Sequence, residues 1–188
     1  YMGSFAEDGH RFSADIQERL GAARVAVLGV GGIGSHALLS LLTMGVGHLV
    51  VVDGDRVALS NLNRQFFYAE QDLGKKKIEV LREKCPGYNG TPQYRFLHQN
   101  LCCTEDFINI MAGCDLVIMT ADTPRDQIFS WSHEAATATA TPILYTQGIL
   151  LDARADGPLY IPGPTNCFHC FYPYTAFSFR SETFQHIN

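Results

Sequence analysis

Arg24-Val25-Ala26-Val27-Leu28-Gly29-Val30-Gly31-Gly32-Ile33-Gly34 is the stretch on which the fold turns. Its first seven residues form a nearly continuous apolar run, as expected of a strand buried on both faces. The glycines that follow suit a tight turn into a predicted helix over residues 33–44. Such a turn lets a nucleotide approach the backbone and sets its phosphates at a helix N-terminus. Gly29, Gly31, Gly32 and Gly34 are therefore candidate nucleotide-binding residues. Outward from the turn, a second apolar strand over residues 48–52 ends in Asp53. A carboxylate there can accept hydrogen bonds from ribose hydroxyls. The competing explanation is a plain strand–helix turn with an incidental aspartate. Strand, turn, helix and distant acid together weigh against it. The motif signals a nucleotide without separating NAD from ATP.

Further along, the pattern predicts helices over residues 13–21, 75–85, 105–111 and 127–138, the 75–85 helix being stopped by Pro86 and Gly87. Strands are predicted over 93–97, 116–120 and 142–146, with two short ones near 149–152 and 159–161. Strands alternating with helices predict an α/β fold, a Rossmann-like, doubly wound and mainly parallel sheet. Ligands of such sheets bind beyond the carboxyl ends of the strands. That rule brings residues 29–34, Asp53 and Asp122 to one edge.

At 188 residues the chain is long enough for one such domain with a substantial core. Its 46% apolar and 18% charged residues are ordinary for a globular protein. A net charge of −5 argues against a nucleic-acid partner, which usually meets a basic stripe. No apolar run reaches the length of a membrane span. The cysteines are scattered apart from Cys102-Cys103 and Cys167-x-x-Cys170, unlike a secreted disulfide framework. Reduced thiols and a cytoplasmic location are the expectation. The chain opens on Tyr1 rather than Met, so that location is an inference from the thiols.

Just past Asp53, Ser60-Asn61-Leu62-Asn63-Arg64-Gln65 gathers hydrogen-bonding groups. Gly74-Lys75-Lys76-Lys77 then places three cations at a predicted helix start, the unfavourable end of the helix dipole. They need compensating anions or full solvation. Solvation is expected for Lys75 and Lys76, and a phosphate contact for Lys77. A triphosphate needs such a cation and a dinucleotide dehydrogenase does not.

These residues resemble the ThiF/MoeB-type E1-like adenylyltransferases over roughly residues 24–175. The likeness rests on residues 29–34, Asp53-Gly54-Asp55, residues 60–65, Gly74 with Lys77, Thr120-Ala121-Asp122 and Cys167-Phe168-His169-Cys170. It implies that Asp53 holds the ribose and that Asn61 lies near the triphosphate. It implies that Arg64, Gln65 and Lys77 hold the phosphates and that Asp122 holds magnesium (Mg2+). Asp55 matches a family position too, with a purely structural role equally open. Cys167 and Cys170 resemble half of a four-cysteine zinc (Zn2+) site, with the second pair expected beyond Asn188 and His169 a bystander. The alternative for this pair is two ordinary thiols. The implied domains are residues 1–23 as an N-terminal segment with a short helix, 24–165 as the ATP-binding adenylation domain, and 166–188 as the start of an incomplete zinc-binding or crossover segment.

The implied chemistry is attack of a peptide or protein carboxylate on the α-phosphate of ATP, releasing pyrophosphate, in a homodimer. Two departures stand out, the missing second C-x-x-C of the zinc site and a change near the N-terminus. The family's N-terminal Arg-[Tyr/Phe]-x-Arg reads Arg11-Phe12-Ser13-Ala14 here, so its second arginine, which reaches the partner protomer's ATP, is absent; either Arg11 or Arg19 substitutes or no such arginine is used. The run Gly157-Pro158-Leu159-Tyr160-Ile161-Pro162-Gly163 resembles the peptide-maturing, microcin C7 enzyme-like branch. The other branch adenylates ubiquitin-like sulfur carriers for thiamine or molybdopterin synthesis. A NAD-dependent oxidoreductase would leave residues 60–65 and Lys77 without a role. A silent E1-like binding subunit would not need Asp53, Arg64, Lys77 and Asp122 together.

Overall fold

A computed structural model describes residues 14–89, 92–148, 155–156 and 159–163. Helix α1 (Ala14–Ala22) leads into β1 (Arg24–Leu28), α2 (Gly32–Met44) and β2 (His48–Val52). Two short 3-10 turns, Leu59–Asn61 and Glu70–Asp72, precede α3 (Lys77–Tyr88) and β3 (Gln93–Leu97). Then come α4 (Thr104–Met111), β4 (Leu116–Met119), α5 (Arg125–Thr139) and β5 (Ile143–Tyr145). Short strands β6 (Gln147–Gly148), β7 (Ala155–Asp156) and β8 (Leu159–Tyr160) follow.

The main sheet runs in the order β3-β2-β1-β4-β5-β8, parallel except where β8 adds antiparallel to β5. A separate antiparallel pair joins β6 to β7. In the main sheet the order reverses direction at β1, between β2 and β4, which is the switch point where doubly wound sheets open a ligand crevice. Successive residues of a strand face opposite sides, and the core divides accordingly. Ala26, Leu28, Val50, Val52, Val117 and Met119 pack with Phe107, Ile110 and Met111 of α4 and Ile128 of α5. Val25, Val27, Leu49, Val51 and Ile118 pack with Leu38 and Leu42 of α2 and Ile78 and Leu81 of α3. Burial on both faces is why β1, β2 and β4 read as unbroken apolar runs.

Helices α1 to α5 and strands β1 to β5 and β8 match the predicted elements in order and type, whereas β6 and β7 have no predicted counterpart. The strand predicted near 149–152 lies outside the described residues. At α3 the prediction fails at both ends. The helix starts at Lys77, not 75, and continues through Pro86 to Tyr88. Pro86 sits in the last turn on the exposed side, where the missing N–H costs one intrahelical bond and water can satisfy the freed carbonyl. The Asn89 N–H then closes the end on the Cys85 carbonyl at 3.2 Å.

Candidate functional site

Gly29 N–H donates to the Val52 carbonyl at 2.8 Å, and the N–H groups of Thr120 and Ala121 donate to the Leu28 carbonyl at 2.9 and 2.7 Å. The carboxyl ends of β1, β2 and β4 are thus tied together at the glycine turn. Gly29 has φ 91°, and a Cβ on it would lie 2.8 Å from the Ala121 nitrogen. A Cβ on Gly34 would lie 2.0 Å from the Gly29 carbonyl oxygen. These two glycines serve close packing. Gly31 and Gly32 differ, because a Cβ there would meet only side chains, Gln65 Nε2 at 3.7 Å and Arg64 Cδ at 3.3 Å. Their surroundings place Arg64 and Gln65 directly over the turn.

Asp53, buried at the end of β2, uses both carboxylate oxygens as struts. Oδ2 accepts the Val30 N–H at 2.8 Å and Oδ1 accepts the Asp55 N–H at 2.7 Å. Each oxygen keeps a further lone pair for a hydroxyl donor. Lys77 Nζ lies 2.8 Å from Asp55 Oδ2 and 3.8 Å from Asp53 Oδ2. Lys77 itself is only 3% exposed. Burying an ammonium demands such partners, so Lys77 is fixed beside the turn rather than waving in solvent. The other two lysines have their own anions. Lys75 pairs with Asp72 at 3.0 Å and Lys76 with Glu79 at 3.5 Å. Lys75 and Lys76 are thus both paired and open to water, as expected, whereas Lys77 relies on compensation alone.

Residues 56–76 form a loop tied at its neck. Arg56 bridges Lys76, Val57 N–H donates to the Lys75 carbonyl, and Gly74 N–H donates to the Val57 carbonyl. Inside the loop, Asn61 Oδ1 accepts the Ala58 N–H at 3.0 Å, and the Asn61 carbonyl accepts Gln65 N–H at 3.0 Å. Asn61 therefore shapes the loop through its oxygen, and among the described residues its amide nitrogen makes no hydrogen bond. Arg64 is exposed and donates to the Ser60 carbonyl at 2.7 Å and Asn63 Oδ1 at 3.0 Å. Gln65 is buried, and among the described residues its Oε1 has no hydrogen-bond partner. An orphaned buried amide oxygen beside an open glycine turn is a group that a ligand donor could satisfy.

Asp122 is exposed after β4, its Oδ1 accepting the Thr123 hydroxyl at 3.3 Å. Among the described residues no cluster of three or more His, Cys, Asp or Glu side chains could hold a metal. A single carboxylate still fits magnesium, which takes one or two protein carboxylates plus phosphate oxygens and waters. Cys167, Cys170 and Arg11 lie outside the described residues. Helix α1, which carries Arg19, lies at the amino end of the sheet, where Gln17 Nε2 donates to the Met44 carbonyl. That is the edge opposite the glycine turn.

Sequence reasoning missed the residues that hold this arrangement. Tyr68 donates its hydroxyl to the Val30 carbonyl at 3.2 Å, and burial, with Asp53 nearby, raises its phenol above the usual range. Asp72 accepts Lys75 at 3.0 Å, Lys84 at 2.5 Å and the Ala69 N–H at 3.1 Å. Burial alone would raise its carboxyl, but the hydrogen bonds from Lys84 and Lys75 prevail and lower it to about 2. Lys84 also donates to the Phe67 carbonyl at 2.7 Å. No periodicity or motif marks these pairings, the longer of which span 12 to 38 positions.

The ThiF family profile matches residues 5–186. The sulfur carrier protein ThiS adenylyltransferase of Escherichia coli is 30% identical over 164 residues, covering 85% of this chain and 62% of that protein. A sulfur carrier protein adenylyltransferase of Thermus thermophilus is 30% identical over 163 residues, covering 84% and 58%. Among solved structures, E. coli MccB with MccA-N7isoASN superposes with a TM-score of 0.75 at 30% identity, covering 82% of this chain and 45% of that one. PaaA superposes with a TM-score of 0.71 at 28% identity, covering 81% and 46%. The chain thus spans less than two thirds of these relatives, and about half of MccB. Because the profile runs across nearly the whole chain, and the relatives agree with it, the chain belongs to the ThiF family.

Proposed function

We propose that this protein is an E1-like adenylyltransferase that uses ATP to activate a carboxylate on a peptide or small protein. The observation that carries the reading is the convergence, at the carboxyl edge of β1 and β2, of an open glycine turn with Arg64, Gln65 and buried Lys77. That is a set for a phosphate chain. Asp53 offers its remaining lone pairs to ribose hydroxyls, Asn61 lies toward the triphosphate, and Asp55 stands beside Lys77. Arg64 and Lys77 carry charge to the phosphates, Gln65 supplies an amide, and Asp122 would hold magnesium through water and phosphate oxygens.

In the reaction a carboxylate oxygen forms a bond to the α-phosphorus as the bond from that phosphorus to the α–β bridging oxygen breaks. Pyrophosphate leaves with the electron pair and an acyl-adenylate remains. The carboxylate is already ionised near neutral pH, so no strong base is required. Catalysis is then positioning plus charge neutralisation by preorganised groups.

For the substrate we favour a ribosomally made peptide. Support comes from the 157–163 run, from the missing second N-terminal arginine, and from likeness to MccB, whose solved complexes contain MccA. A ubiquitin-like sulfur carrier is the second reading, supported by relatives named for that activity. Residues 24–165 would form the adenylation domain and residues 166–188 a zinc-binding segment, with Cys167 and Cys170 as two of four ligands. Metal analysis of the full-length protein checks the zinc. Titration with ATP–Mg and, separately, with NADH tests the nucleotide class. Binding of ATP alone is expected, and binding of NADH alone would overturn the proposal.

A further inference from the structure

We propose that Asp55 is an exchangeable counter-ion for Lys77. It holds the buried ammonium in place while the phosphate site is empty and yields it when a polyphosphate enters. This rests on the nucleotide reading of the sheet edge and adds to it which of two neighbouring carboxylates moves.

The two carboxylates are held very differently. The Asp53 side chain is 7% exposed, and both its oxygens are bonded to backbone N–H groups of Val30 and Asp55. Moving it would uncover both donors and release the glycine turn. The Asp55 side chain is 71% exposed, and among the described residues its carboxylate has Lys77 as its side-chain partner. The Asp55 backbone is pinned twice, its N–H donating to Asp53 Oδ1 and its carbonyl accepting the Lys77 N–H at 3.0 Å. The side chain can therefore rotate into water while the chain stays where it is. Lys77 has no such freedom at 4% side-chain exposure. A buried ammonium needs an anion at all times; in the empty site Asp55 is the nearer one at 2.8 Å, with Asp53 at 3.8 Å as the fixed second.

An arriving phosphate brings a second anion to the same ammonium. Two anions repel each other at this distance, and the one that regains full hydration most easily is Asp55. The charge-assisted bond from Nζ passes from carboxylate to phosphate, with no net loss of partners for the lysine. The exchange also keeps Lys77 aimed at the turn between turnovers, which makes Asp55 a positioning residue.

The test is binding of inorganic pyrophosphate and of ATP–Mg to wild type, Asp55→Asn, Asp55→Ser and Asp55→Glu, with thermal melts of each. Without the competing carboxylate, Asp55→Asn and Asp55→Ser should bind pyrophosphate roughly fivefold more tightly, the scale of a largely exposed ion pair. The KM for ATP should fall in step, and Asp55→Glu should stay near wild type. A merely structural Asp55 moves affinity the other way. Unchanged or weaker binding in both carboxylate-free variants, with native melts, overturns the exchange and leaves the nucleotide site standing. A wild-type protein that binds neither pyrophosphate nor ATP overturns the nucleotide reading itself.

Discussion

Among the residues of the turn after β1, the glycines divide by what a side chain would strike. At Gly34 a Cβ would come within 2.0 Å of a backbone oxygen that cannot retreat without parting β1 from α2. Gly34→Ala should therefore lower the melting temperature markedly. At Gly31 the nearest atom is a side-chain nitrogen at 3.7 Å, an ordinary contact. Gly31→Ala should melt like wild type yet weaken ATP binding, because the methyl group occupies the approach to the turn. Calorimetric melts and ATP titrations on both variants check this, and equal ATP affinity in Gly31→Ala would remove the turn from the site. Arg64 and Lys77 divide in a similar way. Removing either should cost about 2–4 kcal/mol of transition-state stabilisation, the usual scale for losing a preorganised charge-stabilising donor. Arg64 is exposed, so Arg64→Ala should keep its melting temperature. Lys77 is buried against two carboxylates, so Lys77→Ala should also melt lower. Steady-state rates and melts together check the pair, and wild-type rates in both would end the assignment.

At the scale of elements, the loop over residues 56–76 carries Asn61, Arg64 and Gln65, and Asp72 is what fastens it to α3 through Lys84. Its carboxyl is lowered to about 2 in the folded protein. A lowered pKa means that the unfolded chain binds the proton first on acidification. The stabilisation is thus complete above about pH 4, the usual aspartate value, and fades as the pH falls toward 2. Urea denaturation from pH 6 to pH 2 should show Asp72→Asn less stable than wild type by about 2 kcal/mol at pH 6, with the gap closing below pH 4. A pH-independent gap would mean that the carboxylate charge is not what matters. Elements of this protein were legible in sequence where one physical signal dominated. β1 and β2 show two-faced burial as apolar runs, and the glycines mark the turn between β1 and α2. The expectation for the end of α3 fails because Pro86 is a strong breaker only in a helix interior, and here it falls in an exposed last turn. Residues 29–34, Asp53 and Lys77 stood out as site candidates because glycine and charge at strand ends are uncommon without cause. Tyr68, Asp72 and Lys84 did not stand out, because their value lies in partners between 3 and 38 positions away. The pairing of Lys77 with Asp55 spans 22 positions and was equally invisible.

For the molecule as a whole, family membership is established and activity is the proposal. The family resemblance implies a homodimer, and light scattering of the full-length protein should return twice the chain mass; an active monomer would contradict it. A polypeptide substrate spreads its binding over a broad surface, and binding energy remote from the reacting carboxylate feeds the chemical step. Shortening a peptide substrate at its far end should then lower the rate. The central claim is that ATP is cleaved between its α- and β-phosphates by a substrate carboxylate. It is tested most directly by substrate-dependent exchange of labelled pyrophosphate into ATP, with candidate peptides and carrier proteins as substrates. Label should enter ATP only when a peptide or carrier protein with a free carboxylate is present, and entry should fall sharply in Arg64→Ala. Exchange with a free amino acid equal to that with the polypeptide, or no exchange with any polypeptide while ATP binds, would contradict the account.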